Sequence, residues 1–228
     1  MSKTAYLIAG RSSSEIFLKD ALKSRNKEDL IFAVDSGLEA LEAIDIMPDI
    51  ILGDFDSIDK EVFNRYKANS NISIVRHNPV KDASDSELAI EECIKAGMEE
   101  IYLLNCLGGR MDHTLANLHL AYKCVNEGVK VYILDEFNKI YFKTAPFELY
   151  KSKLYGKYIA FFSTSKRVEN FVIEGFKYPL NKVTLDSWSN PSLTISNEII
   201  EDKAYVSFES GTVMVIESRD CKTVNWTG

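Results

Sequence analysis

Residues 51–58 read "ILGDFDSI". An apolar pair that runs straight into Gly53 marks the carboxyl end of a buried strand. The residues beyond the glycine are unusual: Asp54 and Asp56 place two carboxylates within three residues. Like charges that close repel unless a cation lies between them or both face water. Two readings are open, a loop in which Asp56 or Ser57 caps the next helix, or a site for a hard cation.

Working outward, the same pattern recurs. Apolar runs at Ala5–Ala9, Leu30–Val34, Asp49–Leu52, Ile72–Val75, Ile101–Leu104 and Val129–Leu134 are continuous rather than alternating, as strands covered on both faces of a parallel sheet are. Helical patterns lie between them. Ser84 and Glu87 form a capping box that opens a helix, and Gly97 closes it. In Asp112–Glu127, Leu115, Leu118, Tyr122 and Val125 recur at helical spacing and predict the buried face, with Gly128 as the stop. Up to about residue 140 this alternation predicts an α/β domain, an open, mostly parallel sheet with flanking helices.

From 141 to 228 the texture changes. Short segments rich in β-branched and aromatic residues (Tyr158–Phe162, Val168–Ile173, Val183–Leu185, Leu193–Ile195, Ala204–Phe208, Thr212–Ile216) are separated by polar and glycine turns. They predict an all-β sandwich as a second domain.

Composition narrows the function classes. A formal charge of −7, with no basic stripe, argues against a nucleic-acid backbone as partner. No apolar run is long enough to span a bilayer, and the four cysteines form no CxxC pair. These features predict a reduced, cytoplasmic protein that binds neither nucleic acid nor membrane.

Ligands of open α/β sheets bind beyond the carboxyl ends of the strands. Four polar groups of residues fall there: Asp35-Ser36-Gly37, Gly53-Asp54-Phe55-Asp56, Lys81-Asp82-Ala83-Ser84-Asp85, and Gly108-Gly109-Arg110-Met111-Asp112. Each alone reads equally well as a turn or a helix cap. Together they suit a magnesium ion taking carboxylates of Asp54, Asp56 and Asp85, with phosphates held at Gly108-Gly109 and by the planar fork of Arg110. No GxxxxGK[ST] loop or kinase glycine-rich pattern occurs. The set suits phosphoryl or pyrophosphoryl transfer by positioning and charge neutralisation.

The order "DSG", "PDIILGDFDSI", "KDASDSELAI", "LGGRMDHTLANL", "GFKYPL" and "TISNE" resembles the thiamine pyrophosphokinase family. The resemblance implies pyrophosphate transfer from ATP to the hydroxyl of thiamine, giving thiamine diphosphate and AMP. It implies Mg²⁺, a homodimer with active sites at the subunit interface, and the two-domain fold already read from the pattern. On that resemblance Asp54, Asp56, Asp85 and Asp112 are the catalytic carboxylates. The first three are also the metal ligands. Asp35, Gly37, Lys81, Ser84, Gly108, Gly109 and Arg110 face ATP. Tyr178, Thr194, Ser196 and Asn197 form the thiamine side, where an aromatic face suits the thiazolium cation. The chain departs from the family at Leu38 and Glu39, where a small residue and asparagine are usual. The alternatives from the residues alone are a pyrophosphokinase acting on a pterin alcohol and a nucleotide-binding module without turnover.

Overall fold

A computed structural model of the chain describes residues 3–10, 13–56, 58–76 and 83–220. They divide into two compact units, Met1–Glu136 and Phe137–Gly228.

The first unit alternates strand and helix from end to end: β1 (Thr4–Ala9), α1 (Glu15–Lys23), β2 (Leu30–Val34), α2 (Gly37–Ala43), β3 (Ile50–Gly53), α3 (Lys60–Lys67), β4 (Ser73–Arg76), α4 (Asp85–Lys95), β5 (Glu100–Leu104), α5 (Met111–Asn126) and β6 (Lys130–Leu134). Its strands lie in the order β4-β3-β2-β1-β5-β6, and each neighbouring pair is parallel. The chain steps outward from β1 to β4, then returns through α4 to the other side of β1. Right-handed crossovers therefore put α4 and α5 on the face opposite α1–α3. The inner strands are covered on both faces, with Leu7, Ile8, Phe32, Ala33, Ile51, Leu52, Ile101 and Leu103 buried. That is why these runs are continuous in sequence. The edge strand β4 has no buried residue, contrary to the reading of its run.

Ser84 caps α4 as expected, its hydroxyl accepting from the Glu87 N–H at 3.2 Å. Helix α5 corrects an expectation. Its buried residues are Thr114, Asn117, Ala121 and Cys124, while Leu115 is exposed. Thr114 and Asn117 turn inward because their side chains donate to the carbonyls of Gly108 and Cys106 in the loop before the helix, and Leu118, Tyr122 and Val125 are only half-buried.

The second unit is a β-sandwich. One sheet contains β7 (Asn138–Lys143), β13 (Val213–Ser218) and β9 (Tyr158–Ser163), paired antiparallel. The other has the order β11-β10-β12-β8, from β11 (Leu180–Leu185), β10 (Val168–Glu174), β12 (Lys203–Ser207) and β8 (Phe147–Tyr150). Phe161 on β9 joins the two sheets. Its ring centroid lies 5.4 Å from that of Phe171 on β10 and 6.5 Å from that of Phe147 on β8, both tilted. Burying one such ring contributes about 1.5–3 kcal/mol. The expected strand at Leu193–Ile195 is instead a run of turns. There the Thr194 hydroxyl bonds both the N–H and the carbonyl of Phe161. At Phe161 a side chain thus takes the place of a strand backbone, while two residues earlier on β9 Ile159 exchanges backbone hydrogen bonds with Asn197.

Candidate active site

The topological switch point lies between β1 and β5, the two strands from which the chain departs in opposite directions. Such a crevice at the carboxyl ends is where open α/β sheets bind ligands. A cleft of about 570 Å³ occupies it. Its walls come from the end of β1 (Ala9, Gly10), the end of β2 (Asp35, Ser36), the start of α4 (Ser84, Asp85), the end of β5 (Asn105) and the entry to α5 (Gly108, Arg110). Five residues expected from sequence therefore share one cavity: Asp35, Ser84, Asp85, Gly108 and Arg110.

The approach to α5 is shaped by backbone conformation. Gly108 and Gly109 have φ of 78° and 62°, yet a Cβ at either would meet nothing within 4 Å. Glycine is needed there for the left-handed turn rather than for space, and the exposed backbone lets a ligand come close. The N-cap residue Arg110 makes no side-chain hydrogen bond to the first turn of α5, while Asp112 Oδ1 accepts from the His113 N–H at 3.0 Å. The N–H groups of Met111 and Asp112, at the positive end of the helix, suit an anion. Arg110 sits at that entrance with its guanidinium paired to the Asp112 carboxylate, Nε donating to Oδ1 at 3.1 Å and Nη2 to Oδ2. That pairing holds the Asp112 carboxyl below the usual carboxylate range and raises Arg110. Asp112 is ionised at neutral pH, and its carboxylate is itself the planar oxyanion pair held by the Nε–Nη2 side of the Arg110 fork.

The Asp35 and Gly53 motifs meet directly. Asp35 (φ 46°) donates its N–H to Leu52 O at 3.0 Å, and a Cβ on Gly53 would fall 1.9 Å from Asp35 Oδ1. Beyond Gly53 the loop turns on Phe55 (φ 66°), whose ring stacks on Phe63 of α3 at 4.6 Å. Asp54 Oδ1 accepts from the Asp56 N–H at 3.0 Å. The cap of α3 is Asp59, accepting from Glu61 and Val62, so Asp56 does not cap it. Asp54 is half-buried and Asp56 exposed. Gly37 is required sterically: a Cβ there would meet Ile8 O at 1.8 Å, so α2 starts pressed against the end of β1.

Among the described residues, no three His, Cys, Asp or Glu side chains converge into a metal cage. Magnesium needs none, since it is held through one or two carboxylates with waters and phosphate oxygens. Asp54 and Asp56 share one loop and Asp85 lines the cleft; they are donors of that kind without meeting as a cage of three. Lys81 and Ser57 lie outside the described residues.

In the sandwich unit, the four expected residues divide into two kinds. Tyr178 is 57% exposed and Ser196 is exposed. Thr194 and Asn197 are each only 2% exposed and spend their polar atoms internally. Asn197 Oδ1 accepts from Tyr178 N at 3.1 Å, and its Nδ2 donates to Tyr178 O at 2.9 Å. Lys177 Nζ lies 5.5 Å from the centre of the Tyr178 ring and also pairs with Glu198.

Sequence reasoning missed Gly10, Asn105, His113 and Asn117, which also line the cleft. Gly10 carried the signal that Gly53 did, a glycine ending an apolar run. Asn105 and Asn117 carried none, because a single amide has no pattern.

The family model described as "Thiamin pyrophosphokinase, catalytic domain" matches residues 21–133. A second, "Thiamin pyrophosphokinase, vitamin B1 binding domain", matches 146–213. A thiamine pyrophosphokinase from Bacillus subtilis is 31% identical over 221 residues, covering 96% of this chain and all of that protein. A crystal structure of the enzyme from that organism superposes with a TM-score of 0.84 at 30% identity, over 96% of this chain and all of that one. The structure of a thiamin pyrophosphokinase from Geobacillus thermodenitrificans gives 0.81 at 26% identity, over 96% and 99%. With both family models matched in order and a relative aligned along nearly its whole length, the chain belongs to the thiamin pyrophosphokinase family.

Proposed function

We propose that this protein transfers the pyrophosphoryl group of ATP to the hydroxyl of thiamine. The oxygen of that hydroxyl attacks the β-phosphorus, the bond from the β-phosphorus to the α–β bridging oxygen breaks, and AMP leaves. The hydroxyl proton passes to solvent. The products are thiamine diphosphate and AMP.

The observation that carries this reading is the switch-point cleft, in which the amide-bearing entrance to α5, Arg110 and the start of α4 share one wall, in a chain whose two units match the catalytic and vitamin B1 binding models of one family. Arg110 and the first turn of α5 bind and orient phosphate oxygens. Asp35 at the end of β2 suits the nucleotide's hydroxyls. Asp54, Asp56 and Asp85 would hold Mg²⁺, which supplies charge neutralisation across the phosphates. The exposed ring of Tyr178 offers its face to the thiazolium cation, and Ser196 offers a hydroxyl beside it.

The protein functions in this reading as a cytoplasmic homodimer, each site drawing its phosphate residues from one subunit and its thiamine residues from the other. Mixing Asp54→Asn with Tyr178→Ala after subunit exchange restores activity if the site is shared and none if it is not. The substrate itself is tested by incubation with ATP, Mg²⁺ and either thiamine or a pterin alcohol, with products identified by mass. Thiamine diphosphate is expected, and a pterin diphosphate in its place would refute the assignment. Among the described residues no helix is long and apolar enough to cross a membrane.

A further inference from the structure

Asn105 stands where β5 ends, one strand from Gly10 at the end of β1. Its backbone is left-handed, with φ 62°, a conformation asparagine tolerates better than most residues but which glycine adopts without strain. The side chain is 3% exposed. Its Nδ2 donates to Gly10 O at 2.8 Å. This bond fixes which end of the amide is which, because the opposite orientation would set two oxygens against each other. The remaining acceptor, Oδ1, is buried without a hydrogen-bond partner among the described residues. Tying Gly10 to β5 explains one end of the amide and leaves the other unexplained. A buried polar atom without a partner is unfavourable, and this one belongs to a residue lining the ligand cleft.

We propose that Asn105 is a nucleotide-recognition residue whose Oδ1 accepts a hydrogen bond from a neutral donor on the nucleoside half of the substrate. The inference rests on the nucleotide-binding reading of this cleft. Phosphate oxygens are excluded as the partner, because they are acceptors. The thiamine-facing candidates belong to the other unit, whereas Asn105 shares its cavity with Asp35, Asp85 and Arg110. Two nucleoside groups supply a neutral donor, a ribose hydroxyl and the purine 6-amino group, and analogues distinguish them.

The test is a binding cycle by titration calorimetry on the full chain with Mg²⁺. Wild type and Asn105→Gly are each titrated with ATP, 2′-deoxy-ATP, 3′-deoxy-ATP and purine riboside triphosphate, which lacks the 6-amino group. Glycine suits the left-handed backbone, so the variant keeps its fold, and a melting curve checks this. Asn105→Gly is expected to weaken ATP about five- to tenfold, the range of a single neutral hydrogen bond. One analogue is expected to bind wild type weaker by a similar factor and to lose nothing more in the variant. That analogue names the donor. Equal weakening of all four nucleotides, or no weakening of any, overturns the proposal and leaves Asn105 a tie between β1 and β5. Absence of ATP binding overturns it together with the nucleotide reading. A closed cycle in a protein that makes no thiamine diphosphate leaves Asn105 standing and removes only the acceptor.

Discussion

Gly53 and Asp35 are in contact so close that no side chain fits between them: a Cβ on Gly53 would lie 1.9 Å from Asp35 Oδ1. Two sequence motifs from different strands are thereby locked together at the ends of neighbouring β2 and β3. Gly53→Ala forces Asp35 or the Asp54 loop to move, from a backbone with φ of 153° that L-residues rarely adopt. The expected result is a destabilisation of about 1–3 kcal/mol and a loss of most activity, with the KM for ATP raised. Denaturant unfolding and steady-state kinetics check both.

Asn197 holds the backbone of Tyr178. Its amide holds both backbone polar groups of that residue and also accepts from Glu198 N at 2.9 Å. Asn197→Ala removes these three part-buried hydrogen bonds, at about 0.5–1.5 kcal/mol each. The KM for thiamine rises because the Tyr178 ring loses its fixed position, while ATP binding in the other unit is unchanged. Adding Tyr178→Ala to Asn197→Ala worsens the KM for thiamine little, whereas independent contacts would multiply.

Asp54→Asn and Asp56→Asn remove one negative charge each from the loop held by the Phe55–Phe63 stack. Both are expected to fold normally and to lose at least about a hundredfold in turnover, since charge neutralisation carries much of phosphoryl-transfer catalysis. Titration with Mg²⁺ is expected to show a higher half-saturating concentration. Wild-type turnover by Asp54→Asn at low magnesium would remove it from the metal site.

The buried thiols give a pH dependence with a definite sign. Burial pushes Cys106 up to about 12 and Cys124 up to about 11, and raises Cys93 as well. Their folded pKa values exceed the ordinary value of 9.0, so the stabilisation is fully present below that pH. It is lost as pH rises from about 9 towards 11 and beyond, because only the unfolded chain releases the protons. Chemical denaturation at about pH 7.5, 9 and 10 should show stability falling across that window. Replacing Cys124 with serine should reduce the slope.

Much of the architecture was legible because continuous apolar runs are what burial on both faces of a parallel sheet requires. The cap at Ser84 was legible for the same kind of local reason. The buried face of α5 was not, since Thr114 and Asn117 are buried by hydrogen bonds to the loop before the helix, and hydrophobicity points to Leu115. Nor was the edge role of Thr194, whose hydroxyl bonds the Phe161 backbone where the β-propensity of Leu193–Ile195 suggests a strand. In the site, motif residues such as Asp35 and Arg110 announce themselves by clustering at strand ends. The family resemblance implies that Asn197 belongs to the thiamine side, and its amide also holds the Tyr178 backbone, a relation no sequence pattern encodes.

The most direct test is a single-turnover reaction with enzyme in excess over ATP, with thiamine and Mg²⁺ present and all nucleotide and thiamine species resolved by mass. The account predicts AMP and thiamine diphosphate in equal amounts, with neither ADP nor thiamine monophosphate formed. Stoichiometric ADP with a monophosphorylated product, or hydrolysis of ATP with thiamine unchanged, would contradict it.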